Sequence, residues 1–345
     1  MTQPDDEISI AKAYGLPVAL TAITFLIAIS LGAASGVRPY NLFGIYLWGW
    51  AAATLLCLLV AVFFEAMHLA LTKADRPVSR LMESVRVRTQ LAPVAAFLFP
   101  LFLGAYTWAK CSIPRIVGYR WEAFWSDADR LVLFGNDGWK IAHAILPTQA
   151  APFLSFFYAI GWGLALVVGS SLYCVSKSRR EVATFFSALM LSWLIGGVCL
   201  AYAVSAAGPI FVHLSDSALA ARFEPLRAQL LSVLGDKNTI ISTQRYLAAG
   251  IDKAYATKGS GVSAMPSMHI ATATILLIAT RRRWLLPFAC LFWLTTFFGS
   301  VYFGYHYALD APVAAGIAIA CWWISARYYS SGSVRSAMIP AQATV

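Results

Sequence analysis

The sequence predicts an all-α fold, a polytopic membrane helix bundle with about eight transmembrane helices. Three observations predict it. Hydrophobic residues make up 59% of the 345 and charged residues only 12%, whereas a soluble domain carries about 25% charge. So little charge cannot coat a water-exposed surface of this size. The apolar residues fall into long runs, and the basic residues collect in the short connections between them.

A helix crosses a bilayer with roughly 17–25 mostly apolar residues. Eight segments meet or approach that length: 16–37, 43–68, 91–109, 153–175, 182–204, 265–280, 284–304 and 309–327. The first follows Asp5, Asp6 and Glu7 rather than a basic leader and is long for the apolar part of a cleaved signal, so it reads as a retained anchor. Two polar stretches, 110–152 and 205–264, interrupt the series. The first holds Trp121, Phe124, Trp125, Leu131, Leu133, Phe134 and Trp139 among charges. It reads either as a stretch lying in the membrane interface or as a loop folded over the bundle. In the second, 222–234 predicts a short amphipathic helix and Gly235-Asp236-Lys237-Asn238 a turn.

The short connections carry Lys73, Arg76, Arg80, Arg86 and Arg88, then Lys177, Arg179 and Arg180, then Arg281, Arg282 and Arg283. Cytoplasmic loops are enriched in Lys and Arg, so both termini are expected in the cytoplasm and both polar stretches on the opposite face. The net charge of +10 suits contact with anionic headgroups or phosphorylated substrates. Because the basic residues alternate with apolar runs and form no single polar face, nucleic acid is not an expected partner. Of six cysteines, Cys57, Cys174, Cys199, Cys290 and Cys321 lie in apolar runs and Cys111 in an expected loop. They form no CxxC pair, so neither a disulfide framework nor a zinc site is expected.

Two of the five histidines stand out. His269 closes Pro266-Ser267-Met268-His269 at the start of the sixth apolar run, and His306 follows the seventh. Topology alone brings both to one membrane face, where ionisable groups are functional candidates. Ser267 is a good N-cap and Pro266 is tolerated in a first turn. The free N–H groups of Ser267, Met268 and His269 would then form an anion site. Asp310 lies four residues after His306, one helical turn away, and can fix the imidazole tautomer. His143 and His213 read as packed structural residues, and His68 as the partner of nearby Glu65.

Pro266-Ser267-Met268-His269, followed by His306-x-x-x-Asp310, resembles the type 2 phosphatidic acid phosphatase (PAP2) superfamily. It is most similar to the inositolphosphotransferase branch, which includes the inositol phosphorylceramide synthases. Ala206-Ala207-Gly208-Pro209 is similar to the first-motif region of that branch. The resemblance implies three parts: residues 1–90, a membrane segment with two extra helices; 91–327, a six-helix catalytic core; and 328–345, a cytoplasmic tail. It implies that His306 is the nucleophile forming a phosphohistidine, that His269 is the acid and base, and that Asp310 orients His306. It implies no metal and no cofactor. The expected reaction moves an inositol-phosphate-like headgroup from a phospholipid to a lipid hydroxyl; with water as acceptor the enzyme would be a lipid phosphatase.

The sequence departs from the phosphatase pattern. No Lys or Arg stands near Gly208-Pro209, Ser300 replaces the third-motif arginine, and Met268 replaces a glycine. Phosphate-binding cations must therefore come from elsewhere, and Arg245 and Lys258 are the candidates, joined by Ser267, Met268 and Gly208. Two other classes compete. A polyprenyl-phosphate-sugar glycosyltransferase would use Asp127 and Asp129, and a transporter would carry charge near mid-membrane. Neither accounts for the two histidine motifs. The short loops and acidic N-terminus fit a bacterial inner-membrane protein with a periplasmic, or else lumenal, site.

Overall fold

A computed structural model describes residues 8–280 and 284–330. The N-terminal acidic residues, Arg281–Arg283 and the chain after Ser330 lie outside the described residues. The element order begins with α1 (Ile10–Ser35), α2 (Leu42–Leu71), α3 (Pro77–Thr89) and α4 (Phe99–Cys111). Two short helices follow, α5 (Glu122–Val132) and α6 (Gly138–Ile145). Then come two long apolar helical stretches, α7 (Thr148–Ser176) and α8 (Arg179–Ala203). The second polar stretch folds as α9 (Ser217–Leu234) and α10 (Thr239–Gly250). The chain continues with α11 (Met268–Ala279), α12 (Leu286–Tyr302) and α13 (Asp310–Ser330).

Among the described residues, five helical stretches are long and apolar enough to cross a membrane: α1, α2, Pro77–Ile116, α7 and α8. Together with the shorter apolar helices α11 and α12 they make an all-α integral membrane bundle. The expected third span, 91–109, is part of the longer Pro77–Ile116 stretch. The expected sixth span is shorter than its apolar run. α11 has 12 residues, about 18 Å at 1.5 Å per residue, against roughly 30 Å of hydrocarbon. Pro266 stands just ahead of the helix, not in its first turn, and Ser267 caps it by accepting the N–H of Ile270. The helix that begins at His269's motif therefore starts inside the bundle. Cys111 ends α4 rather than lying in a loop, and it is buried against Ser260. The last helix runs on through Ser330, so the first residues of the expected tail are helical.

α8 occupies the centre. In its most apolar stretch 83% is buried, against 17% for α2, which lies at the periphery. A capping box starts α8: Ser178 accepts the Glu181 N–H while the Glu181 carboxylate accepts the Ser178 N–H. Core side chains such as Phe99, Phe102, Phe185, Phe186 and Met190 are fully enclosed around it. At the far end from the histidines, Glu65 pairs with Arg88 at 3.1 Å, not with His68, because α3 folds back along α2.

The two polar stretches fold over the end of the bundle that carries His269 and His306. α9 begins five residues before the expected boundary because Asp216 caps it, accepting from Ala218 and Leu219. It ends at Gly235, and Asn238 caps α10. A two-residue parallel pairing, Arg38–Pro39 (β1) with Tyr255–Ala256 (β2), ties the α1–α2 connection to the same layer. α5 is amphipathic with its polar side inward. Glu122, Ser126 and Asp129 are buried, while Phe124, Leu131 and Phe134 are exposed. The stretch folds over the bundle, as one of the two expectations had it, and presents an apolar face outward.

Candidate active site

Three loops meet at the core of the site end: residues 204–210, 262–267 and 303–309. Main-chain hydrogen bonds stitch them together, Ala264 N–H to Ala206 O at 2.8 Å and Ile210 N–H to Gly304 O at 2.8 Å. Gly208 has a φ of +97°, and a Cβ there would stand 2.6 Å from the Tyr305 carbonyl oxygen. Only glycine permits that approach. Its role in the structure is to let the 204–210 loop lie against the loop that carries His306.

Beneath these loops sits Glu122, a residue the sequence did not single out. Its carboxylate accepts the N–H groups of Ala207 and Gly208 and, at 2.6 Å, the hydroxyl of Tyr307. Burial raises the Glu122 carboxyl above its ordinary range, while the three donors oppose the shift. Two turns along the same face, Asp129 accepts the Leu309 N–H at 2.9 Å, and burial pushes its carboxyl up to about 6. α5 thus holds both flanks of the His306 loop. Asp137 anchors the next turn: burial raises its carboxyl, but Arg222 and Lys140 together outweigh that and hold it low.

His306 is buried and its side chain is doubly held. Nδ1 lies 2.6 Å from the Ala264 carbonyl oxygen and 3.0 Å from Asp310 Oδ2. A carbonyl only accepts, so Nδ1 is the donor, and in the neutral imidazole this leaves the lone pair on Nε2. The sequence pointed to Asp310 for this task; the Ala264 carbonyl is an addition. Asp310, wholly buried, opens α13 and also accepts the Tyr307 N–H at 3.2 Å. The pair is four apart as expected, but His306 lies in the turn before the helix rather than on it.

The His269 ring centroid is 5.8 Å from that of His306. Tyr158 stacks on His269 at 5.0 Å, and Trp162 lies 4.2 Å away on α7. The Trp162 indole donates to the His269 carbonyl at 3.2 Å. Among the described residues no protein group bonds to the His269 ring nitrogens, so they are available to a bound molecule. Both histidines line a cavity of about 730 Å³ that runs from the loops into the bundle.

The other expected residues divide. Lys258 and Met268 line the cavity. Ser267 is fully buried, its hydroxyl occupied as the helix cap. Arg245 is not brought to the cavity: it is exposed and paired with Asp236, nine residues earlier in the turn before α10. Ser300 is buried, its hydroxyl bonded to Phe297 O and its carbonyl accepting the His306 N–H. Asp127 is exposed and pairs with Arg222 of α9, Asp129 braces the His306 loop, and neither lines the cavity. His143 bonds to the Tyr302 carbonyl at 2.9 Å, in keeping with a structural role.

One cation in the cavity escaped the sequence reading. Lys110, the penultimate residue of α4, reaches the wall shared by Lys258, His269 and His306. Neither lysine has an ion-pair partner among the described residues. The clue was present, since a lysine closing an apolar run at the site face is costly to leave unpaired. An imidazole with a fixed tautomer, a second imidazole beside it and two unpaired cations equip this end of an apolar cavity to hold and attack a phosphoryl group.

A family model described as the PAP2 superfamily matches residues 127–326, more than half of the chain. No curated protein and no solved structure matches it.

Proposed function

The chain belongs to the PAP2 superfamily and is a membrane enzyme of its phosphatase and phosphotransferase type, and on that premise we propose that it transfers a phosphorylated headgroup from a phospholipid to a lipid hydroxyl through a phosphohistidine. His306 Nε2 attacks phosphorus as the bond from phosphorus to the donor's lipid oxygen breaks. His269 protonates that leaving alkoxide. The imidazolium formed at His306 keeps its Nδ1 proton toward Asp310 and the Ala264 carbonyl, which offset its charge. The acceptor hydroxyl then gives its proton to His269 and takes the phosphoryl group from His306.

The observation that carries this reading is the cavity itself, apolar along its length and cationic where the two imidazoles stand. A substrate that fits has hydrocarbon at one end and phosphate at the other. Enclosure of His306 favours a lipid alcohol over water as acceptor, because a dry site suppresses hydrolysis of a reactive intermediate. The inositol-phosphate-like headgroup rests on the branch resemblance of the histidine motifs. The basic connections after α2 and α7 support a site on the periplasmic or lumenal face, with both termini in the cytoplasm.

The test is incubation of the purified protein with headgroup-labelled phospholipids, with and without added ceramide or diacylglycerol. Label on the added lipid alcohol is the expected result. Label only in the water-soluble fraction would replace transfer by hydrolysis, and no turnover of any lipid would overturn the reading.

Lys110 provides a second check. Hydrogen bonds to charged groups contribute about 1.5–3 kcal/mol, or roughly 10–100-fold in a rate constant. Lys110→Met is therefore expected to lower kcat/KM for the phospholipid donor by about that factor, with Lys110→Arg recovering part of it. Steady-state kinetics of the three proteins on one labelled donor measure this.

A further inference from the structure

The cavity extends well past the histidines, and one of its walls lies outside the segment matched to the family. Ile45, Tyr46, Gly49 and Trp50 of α2 line it, facing residues 158–167 of α7. Away from the site the two helices are joined: Thr54 Oγ1 lies 3.1 Å from Ser171 Oγ, and Cys57 Sγ 3.9 Å from the Val168 carbonyl. Toward the site they part, and the cavity fills the gap. α2 is the peripheral helix, so this gap opens on the side of the bundle that faces lipid.

Two glycines mark the gap, Gly49 on α2 and Gly163 on α7. Glycine weakens a helix interior; at some helical glycines of this bundle a close neighbour accounts for it, and at others, such as Gly15 and Gly316, none does. A Cβ at Gly104 would stand 2.4 Å from the Phe43 ring, and one at Gly197 would stand 2.5 Å from the Tyr106 ring. At Gly49 and Gly163 nothing lies within 4 Å of such an atom. Among the described residues no packing partner calls for a small residue at either place; Gly15 and Gly316 share that openness, but Gly49 and Gly163 border the cavity and they do not. The walls between them, Trp50, Leu103, Leu166 and Trp193, are apolar. The whole cavity, about 730 Å³, falls in the ~300–1,000 Å³ range of ligand pockets.

We propose that the hydrocarbon chain of the lipid substrate lies along α2, between Gly49 and Gly163, so that an element outside the family-matched segment sets which chains are accepted. The proposal rests on the reading above that the lipid's phosphate reacts at His306. The occupant follows from the cavity's two ends. The cations Lys110 and Lys258 with the two imidazoles take an anionic headgroup, and the apolar gap continuous with them takes what is attached to it.

The experiment uses the full chain in detergent with Gly49→Phe and Gly163→Phe, and phospholipid donors of one headgroup carrying either two eight-carbon or two sixteen-carbon chains. Each phenylalanine is expected to lower kcat/KM for the long-chain donor by about tenfold or more, the loss of contact with a few methylenes. The short-chain donor should stay within about threefold of wild type, which also shows that the variants fold. Retained long-chain phospholipid, counted by native mass spectrometry, should fall in parallel. Equal loss on both donors, or unchanged long-chain turnover and retention, would overturn the proposal. If the wild type turns over neither donor while both variants still lose bound long-chain lipid, the chain site stands and the phosphotransfer reading falls.

Discussion

His306→Ala is expected to reduce turnover by on the order of 10⁴-fold or more and to remove the labelled enzyme intermediate, because it deletes the atom to which phosphorus would be bonded. The structure gives this side chain no freedom to serve otherwise. Its Nδ1 proton is committed to the Ala264 carbonyl and to Asp310, which leaves Nε2 as its one basic atom. The measurement is an acid-sensitive, base-stable label retained by the protein after rapid quenching with a phosphorus-labelled donor. Wild type should show it and His306→Ala should not. The variant's fold is checked by its retention of phospholipid, since the apolar part of the cavity is untouched. A near wild-type rate in His306→Ala would remove the nucleophile assignment, however well the rest of the site fits.

Much of this site was legible before any coordinates. The proline-serine pair ahead of His269, and an aspartate four residues after His306, are local patterns whose consequences are set by helix geometry. Alternation of long apolar runs with basic turns then brings both histidines to one face. What the sequence hid are contacts between distant segments. Glu122 meets Tyr307 across 185 residues, and Ala264 meets His306 across 42. Neither follows from periodicity, because each depends on how the polar stretches fold back over the bundle. α5 was ambiguous for a physical reason: its buried side is the polar one, the reverse of a soluble amphipathic helix.

The cations proposed to bind phosphate show the same limit from the other side. Arg245 was attractive because it lies on the site face near the second histidine motif in sequence. Proximity along the chain did not become proximity in space, because Asp236, nine residues earlier, holds it at the surface. Lys110 is 159 residues before His269 and looked like the end of a membrane span, yet it shares a wall with both histidines. Lys110 on α4 and the α2 residues Ile45, Tyr46, Gly49 and Trp50 line the cavity although both elements lie outside the family-matched segment.

His269→Ala is expected to lower turnover of a phospholipid donor by about 10²–10⁴-fold, the usual range for loss of a general acid or base, and its signature is a change in which step is slow. An alkoxide leaving group needs a proton as it departs, whereas a nitrophenolate does not. With a lipid-like nitrophenyl phosphodiester, the first step should survive in His269→Ala, because His306 and its two partners are intact. The second step should not, because the acceptor hydroxyl then has no base to take its proton. The expected trace is a burst of about one nitrophenolate per active site, followed by slow turnover, with phosphoenzyme accumulating to match. Addition of imidazole should restore part of the second step if the vacated space between Tyr158 and Trp162 admits it. Equal loss on both donors, with no burst and no accumulated phosphoenzyme, would make His269 a packing residue and shift the acid and base roles to another group.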